Sequence, residues 1–184
     1  MLFDLAPDLA KKVEELRNVL SPYGRLAVAF SGGADSTFLA WFIQVEMKRK
    51  VFAILAATPF LGEREREEAS RIAQRLGLAL EVVEPDPGSI ASIRENSALR
   101  CYFCKREIMS AVRARAEALG CGAVVDGTHA GDASAHRPGR KALEELGILS
   151  PLAAAGLVKS EIRTLSRMAG LPTWDKPSQS CLAT

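Results

Sequence analysis

The sequence predicts an α/β protein in which helices cover both faces of a parallel β-sheet. Short apolar stretches alternate with longer amphipathic stretches along most of its 184 residues, an order typical of strands joined by crossover helices. A glycine-rich turn follows the first apolar stretch, at a position where such sheets bind ligands. A chain of this length forms one domain, which we assign to residues 1–184 with an irregular tail over 171–184.

The first half of the chain supplies three helices and three strands. A helix over 7–20 is followed by the apolar run 26–30, which predicts a buried strand, and then by a helix over 35–47. The apolar run 51–57 predicts the second strand. The helix after it, over 63–76, begins with glutamates near its positive end, and a third strand is predicted over 80–83.

The second half of the chain continues the alternation. The pattern predicts a helix over 104–119, a strand over 123–126 and two shorter helices over 140–146 and 159–169. Four helices are each followed by a glycine that we expect to end the helix in the left-handed conformation: Gly77, Gly120, Gly147 and Gly170.

The most specific signal is the run Ser-Gly-Gly-Ala-Asp-Ser over 31–36, between the first strand and the second helix. Two glycines let the backbone approach an anion closely, and the N–H groups at the start of the helix point toward it. No lysine follows the second glycine, in contrast to the P-loop, so we expect pyrophosphate to leave rather than the γ-phosphoryl group to be transferred. Asp35 is predicted to cap the helix or to hold a Mg²⁺ ion that bridges to phosphate.

Nucleotide contacts are expected where the strands end, because these ends share one edge of the sheet. Thr58 and the turn formed by Gly127 and Thr128 would contact the adenosine half of ATP, with turn geometry alone as the alternative role. The full set of predicted nucleotide-binding residues is Ala29, Ser31, Gly32, Gly33, Asp35, Ser36, Thr58, Gly127 and Thr128.

Composition and charge limit the class of protein. The formal net charge of +2 argues against bulk nucleic-acid binding. No apolar run reaches the roughly 18 to 20 residues of a membrane span, and the N-terminus lacks the pattern of a secretory signal. We therefore expect a cytoplasmic protein without a membrane partner.

The cysteines form the second specific signal, because a chain without an export signal favours ligand or nucleophile roles over disulfides. Cys101 and Cys104 form a Cys-x-x-Cys pair at the start of a helix, and Cys181 lies in the tail. Three thiolates could hold a [4Fe-4S] cluster whose open iron carries a sulfide for transfer. The alternatives are Cys181 alone as a nucleophile that gives up its sulfur, a zinc ion with His129 or His136 as the fourth ligand, and a redox dithiol.

Further blocks of residues occur in the order of one known family: 100–105 (Arg-Cys-Tyr-Phe-Cys-Lys), 126–128 (Asp-Gly-Thr), 137–139 (Arg-Pro-Gly), 150–152 (Ser-Pro-Leu), 161–163 (Glu-Ile-Arg), 171–178 (Leu-Pro-Thr-Trp-Asp-Lys-Pro-Ser) and 181–183 (Cys-Leu-Ala). With the run 31–36 they make the chain resemble the PP-loop ATP pyrophosphatases, and within them the LarE family of sulfur transferases of nickel-pincer nucleotide synthesis. The resemblance implies a Rossmann-like fold of the adenine nucleotide alpha-hydrolase type.

The resemblance also implies a reaction. A carboxylate of pyridinium-3,5-biscarboxylic acid mononucleotide would be adenylylated by ATP with release of pyrophosphate, and sulfur would then displace AMP. Asp35 and Cys181 would be catalytic, and Cys101, Cys104 and Cys181 would bind a [4Fe-4S] cluster, as in family members with all three thiols. The expected cofactors are thus ATP, Mg²⁺ and the cluster, and the expected partner is a small nucleotide substrate.

The sequence departs from the family in two places. The segment 129–132, His-Ala-Gly-Asp, stands where the family has Asn followed by Ala-Asp-Asp. Family members also continue into a second, smaller domain that is absent from this sequence. We expect a shortened form, a homo-oligomer or partner chain that supplies the missing part, or a different substrate. The rival functions are a PP-loop tRNA thiolase, an amidating synthetase and a non-catalytic subunit that binds a nucleotide or a cluster.

Overall fold

Four parallel strands form the sheet in a computed structural model that describes residues 5–89, 93, 99–132 and 138–177. The strands are β1 (Leu26–Ala29), β2 (Val51–Ala56), β3 (Ala79–Val83) and β4 (Ala123–Val125). Their order across the sheet is β3-β2-β1-β4, and every pair of neighbours is parallel. Beyond β4, Val125 forms a further parallel bridge with Leu149.

Helices precede, connect and follow these strands. They are α1 (Pro7–Leu20), α2 (Ala34–Trp41), α3 (Glu63–Arg75), α4 (Arg100–Ala118), α5 (Pro138–Glu145), α6 (Pro151–Ala154) and α7 (Lys159–Met168). A π-helical turn over Phe42–Glu46 continues α2, and short 3₁₀ turns occupy Pro87–Ser89 and Ala130–Asp132. Within the described ranges, no helix has the length and apolar character needed to cross a membrane.

The two faces of the sheet bury separate clusters, because successive side chains of a strand point to opposite faces. Val28 and Leu55 belong to the cluster that includes α1, α2, α3, α6 and α7. Ala27 and Ile54 belong to the second cluster, which includes Met109 of α4 and residues of α5. The predicted α/β fold, with a parallel sheet and helices on both faces, is therefore confirmed.

The predicted elements agree with the structure to within one or two residues at most ends. All four glycines predicted to end helices have positive φ, between 62° and 68°. The helix predicted over 35–47 is α-helical only to Trp41 and continues as the π-helical turn, and α6 has no counterpart among the predicted helices. The start of α4 is also wrong, since this helix begins at Arg100 rather than at residue 104. The residues 100–103 become helical because α5 packs on this turn: a Cβ on Gly139 would lie 3.5 Å from the carbonyl oxygen of Cys101 and from Cβ of Lys105. Tertiary packing thus extends the helix beyond the region that its sequence pattern predicts.

The chain reverses its direction across the sheet between β1 and β4, because β2 and β3 lie on one side of β1 and β4 lies on the other. The loops that follow β1 and β4 therefore leave the same edge in neighbouring positions. In open α/β sheets this is the crevice in which ligands bind.

Candidate active site

The loop after β1 is closed by its own hydroxyl groups. The N–H of Ser31 donates to Oγ of Ser36 at 3.2 Å, and the two Oγ atoms are also 3.2 Å apart. The N–H of Gly33 donates to Oγ of Ser31 at 3.3 Å, and Thr37 N–H donates to the Gly33 carbonyl at 3.0 Å, which begins α2. Two hydroxyl groups and the first turn of a helix thus meet at one loop, the arrangement that binds anions.

Gly32 allows this loop to lie directly on α3. Its φ is +68°, and a Cβ built on it would lie 2.8 Å from Cα and 2.9 Å from Cβ of Ala69. A left-handed conformation and a steric clash therefore both exclude a side chain here.

The loop after β4 contacts the same region. A Cβ on Gly127 would lie 3.1 Å from Cβ of Asp35 and 3.1 Å from the backbone nitrogen of Ser36. The preceding carboxylate, Asp126, is 4% exposed and accepts hydrogen bonds from Thr128 N–H at 3.2 Å, Thr128 Oγ1 at 2.6 Å and Ser150 Oγ at 2.8 Å. Asp126 thus fixes the turn and joins it to Ser150, while Gly127 allows the turn to lie against α2.

Asp35 lies in the first turn of α2 and forms an ion pair with a residue distant in sequence. Its Oδ2 accepts from Nζ of Lys159, the first residue of α7, at 2.5 Å, and both side chains are about a quarter exposed. Oδ1 is buried, and no hydrogen-bond partner for it exists among the described residues. The helix-capping role predicted for Asp35 is not seen, while an unpartnered carboxylate oxygen is the type of ligand that Mg²⁺ accepts.

Two lysines from distant parts of the sequence reach this loop through the tertiary structure, although none follows its second glycine. Lys159 contacts Asp35, and Lys176 donates from Nζ to the carbonyl oxygen of Gly32 at 3.2 Å. The sequence argument considered only the position after the second glycine. Both lysines come from the C-terminal part of the chain, where spacing relative to the loop carries no signal.

The start of α7, which places Lys159, is itself held by Glu161. Its Oε2 accepts from the N–H of Val158 at 3.0 Å, and its Oε1 accepts from Nζ of Lys12 in α1 at 2.8 Å. Burial acts to raise the pKa of Glu161, but the hydrogen bonds from Lys12 and Val158 outweigh it and leave the pKa below its usual value.

Two of the other predicted nucleotide contacts lie at the same edge of the sheet. Ala29 is the last residue of β1. Thr58 lies two residues beyond β2, and its Oγ1 accepts from the N–H of Phe60 at 3.3 Å. Like Thr128, Thr58 therefore uses its hydroxyl group in a turn, and a role for either residue in binding adenosine stays a prediction.

The cysteine pair lies in the first turn of α4. Cys101 is exposed and Cys104 is half-buried, and residues three apart in a helix share one face. Beside them, Oη of Tyr102 donates to Oε2 of Glu145 at 2.5 Å, and this bond, with some burial, raises the pKa of Tyr102. The pair can supply two thiolate ligands, whereas the third predicted ligand, Cys181, lies outside the described residues.

The described ranges contain no group of three or more side chains able to hold a metal ion, so His129 does not join the cysteine pair in such a group. Its Nδ1 lies instead 3.6 Å from Oδ2 of Asp132. The other zinc candidate, His136, also lies outside the described residues.

Three curated proteins are similar in sequence. The chain is 39% identical over 176 residues to the uncharacterized protein slr1717 of Synechocystis, covering 96% of this chain and 66% of that protein. It is 33% identical to the pyridinium-3,5-bisthiocarboxylic acid mononucleotide synthase of Lactiplantibacillus plantarum, covering 91% and 61%. It is 30% identical to the uncharacterized protein MJ0830 of Methanocaldococcus jannaschii, covering 95% and 67%. The chain thus spans between 61 and 67% of the length of these relatives. No family model matches it.

Two solved structures share the fold. The NMN synthetase of Francisella tularensis superposes with a TM-score of 0.68 at 17% identity, covering 97% of this chain and 78% of that chain. The U34-tRNA thiolase NcsA of Methanococcus maripaludis, solved with its [4Fe-4S] cluster, superposes with a TM-score of 0.70 at 18% identity, covering 95% and 68%.

The parallel sheet and these shared folds define a protein of the α/β class, with the run 31–36 at the switch point of its sheet. Within that class, the chain belongs to the sequence family that includes MJ0830 of Methanocaldococcus jannaschii.

Proposed function

We propose that this chain is the nucleotide-activating part of an ATP-dependent sulfur transferase that acts on a small nucleotide. The observation that carries the proposal is the loop over 31–36, which joins hydroxyl groups, a helix N-terminus and the pair of Asp35 and Lys159 at the switch point of the sheet. Similarity to the L. plantarum synthase supports pyridinium-3,5-biscarboxylic acid mononucleotide as the substrate.

The residues of the loop suit a reaction in which pyrophosphate leaves. The N–H groups of the first turn of α2 and the hydroxyls of Ser31 and Ser36 would bind the β- and γ-phosphates of ATP. The ammonium of Lys159 lies where it can neutralise negative charge on the leaving pyrophosphate. Asp35 would hold Mg²⁺, which supplies charge stabilisation to the same phosphates.

The proposed reaction has two steps, adenylylation and sulfur transfer. A carboxylate oxygen of the substrate bonds to the α-phosphorus of ATP while the bond from that phosphorus to the bridging oxygen breaks, which releases pyrophosphate. A sulfur nucleophile then bonds to the carboxyl carbon, the carbon–oxygen bond to AMP breaks, and a thiocarboxylate remains. Cys101, Cys104 and Cys181 would hold a [4Fe-4S] cluster, which when bound supplies an iron site for the sulfide that is transferred.

A tRNA thiolase is the second candidate, favoured by the fold shared with NcsA and by the presence of Cys101, Cys104 and Cys181 in the sequence. The formal net charge of +2 favours the small substrate, because binding to nucleic acid depends on many phosphate contacts. The two candidate functions share the adenylylating half-reaction. They differ in the molecule that accepts the sulfur, which is the pyridinium mononucleotide in one and tRNA in the other.

Pyrophosphate release is the test. The chain, reconstituted with iron and sulfide without oxygen, is incubated with Mg²⁺-ATP and either the pyridinium mononucleotide or unmodified tRNA. We expect release with the mononucleotide, together with a thiocarboxylate product detected by mass spectrometry. Release with tRNA alone would favour the thiolase. ATP binding without release on any acceptor would favour a non-catalytic subunit.

A matched pair of variants controls the assay. Asp35→Asn removes the carboxylate of the loop, whereas Asp8→Asn makes the same change at an exposed position of α1. We expect only the first to lose pyrophosphate release.

A further inference from the structure

Lys176 approaches the loop from the side of α3. Its Nζ donates to the carbonyl oxygen of Gly32 at 3.2 Å and lies 2.9 Å from Oε2 of Glu68 in α3. The lysine side chain is 12% exposed, whereas that of Glu68 is 43% exposed. An ammonium that is largely removed from water is thus shared between one exposed carboxylate and one backbone carbonyl, and the carbonyl belongs to the loop.

The peptide unit between Gly32 and Gly33 explains why its carbonyl matters. In a trans peptide the C=O and the following N–H point in opposite directions, and the described residues contain no cis peptide. A lysine that holds the carbonyl of Gly32 therefore directs the N–H of Gly33 to the other side, where it donates to Oγ of Ser31 at 3.3 Å. Rotation of this unit would present a carbonyl oxygen to a bound anion in place of an N–H.

Because residues 32 and 33 are both glycines, this peptide unit rotates easily, and a contact from another part of the chain is needed to fix the direction of its carbonyl. Gly32 can adopt either sign of φ at little cost, and no side chain at 32 or 33 limits the rotation. The contact between Gly32 and Ala69 restricts the position of the backbone, whereas the bond from Lys176 restricts the direction of the carbonyl.

Helix α7 places the backbone of Lys176 as well. Nη2 of Arg163 donates to the carbonyl oxygen of Lys176 at 3.0 Å. Arg163 follows Lys159 by one helical turn, so the two side chains extend from the same face of α7. One face of a helix thus contacts Asp35 directly and reaches Gly32 through Lys176.

We propose that Lys176 is a positioning residue that keeps the N–H of Gly33 on the side of the loop where Ser31 lies and where the pyrophosphate group of ATP would bind. The inference rests on the proposed function, since it assumes that the loop binds polyphosphate. In this role, the segment after α7 helps to form the binding site by orienting the backbone of the loop over 31–36.

The test measures binding of inorganic pyrophosphate with Mg²⁺ by isothermal titration calorimetry, so it requires neither substrate nor sulfur. Lys176→Met removes the ammonium and keeps the apolar stem, and we expect the dissociation constant to rise tenfold or more. Lys11→Met removes an exposed lysine of α1 and is expected to stay within twofold of wild type. Lys176→Arg keeps a cationic donor and should restore most of the affinity.

The variant Glu68→Gln tests whether Lys176 acts through the carbonyl of Gly32 or only attaches the segment after α7 to α3. If Lys176 acts through the carbonyl of Gly32, loss of the ion pair with Glu68 should leave pyrophosphate binding equal to wild type or tighter. If the ion pair is what matters, Glu68→Gln should weaken binding as much as Lys176→Met, and that result would overturn the proposal. If Lys176→Met shows no cooperative thermal unfolding, Glu68→Gln is judged against wild type alone, and a dissociation constant raised tenfold or more would overturn the proposal.

The outcomes for the two proposals differ. Equal pyrophosphate affinity of a folded Lys176→Met variant and the wild type would overturn the role of Lys176 alone. A wild-type chain that binds neither ATP nor pyrophosphate would contradict the proposed function and, with it, this inference.

Discussion

Substitution of Gly32 by alanine tests whether the loop must lie against α3. The change introduces two costs. An L-residue in the left-handed conformation costs roughly 1–2 kcal/mol. The new Cβ would also lie 2.8 Å from Cα of Ala69, and overpacking of this kind typically costs about 1–3 kcal/mol. Gly32→Ala should therefore destabilise the protein by roughly 2–5 kcal/mol.

Gly77→Ala is the matched control. Gly77 has nearly the same φ, +62°, but a Cβ there would meet nothing within 4 Å. It should incur only the conformational cost of roughly 1–2 kcal/mol, so the difference between the variants measures the clash with α3.

Urea unfolding, followed by tryptophan fluorescence, provides the measurement. Trp41 is 8% exposed and belongs to the core that packs around α2, so its emission should report global unfolding. With an m-value of about 2 kcal/mol/M, an extra 2 kcal/mol moves the midpoint of Gly32→Ala about 1 M below that of Gly77→Ala. Equal midpoints would refute the argument, because they would mean that the loop can move away from α3 at no cost.

Three further predictions concern the site and its support. Asp35→Asn should reduce pyrophosphate release roughly 100-fold or more, while loss of its partly exposed pair with Lys159 should lower stability by no more than about 1 kcal/mol; undiminished release would contradict the role of the carboxylate. Glu161→Gln should lower stability at pH 7 by roughly 0.5–1 kcal/mol, since the partly exposed pair with Lys12 is screened by solvent. Because the pKa of Glu161 is lowered in the folded state, this difference should disappear as the pH falls through that pKa, and a difference that persists at acid pH would disprove the assignment. Protein reconstituted without oxygen should contain about four irons per chain, and Cys101→Ser should lose most of them; equal iron content in both would exclude Cys101 as a ligand.

Much of the fold could be predicted because its signals are local. Both ends of α1 agree with the prediction, and the apolar runs that predict the strands coincide with β1 and β2 to within one residue. Apolar periodicity and glycines that end helices act over a few residues, so each segment carries its own information. The start of α4 was mispredicted because its first turn depends on packing against α5, which the pattern of α4 does not contain.

The candidate site also has one part that local sequence predicts and another that it does not. The loop over 31–36, with its glycines, hydroxyls and Asp35 at the end of a strand, could be predicted from local sequence, because a tight turn before a helix requires those residue types locally. Which charges meet that loop depends on tertiary packing. Lys159 is 124 positions from Asp35, and Lys176 is 144 positions from Gly32. Contacts over such distances depend on how α7 and the segment after it pack on α2 and α3, and no local spacing in the sequence records that packing.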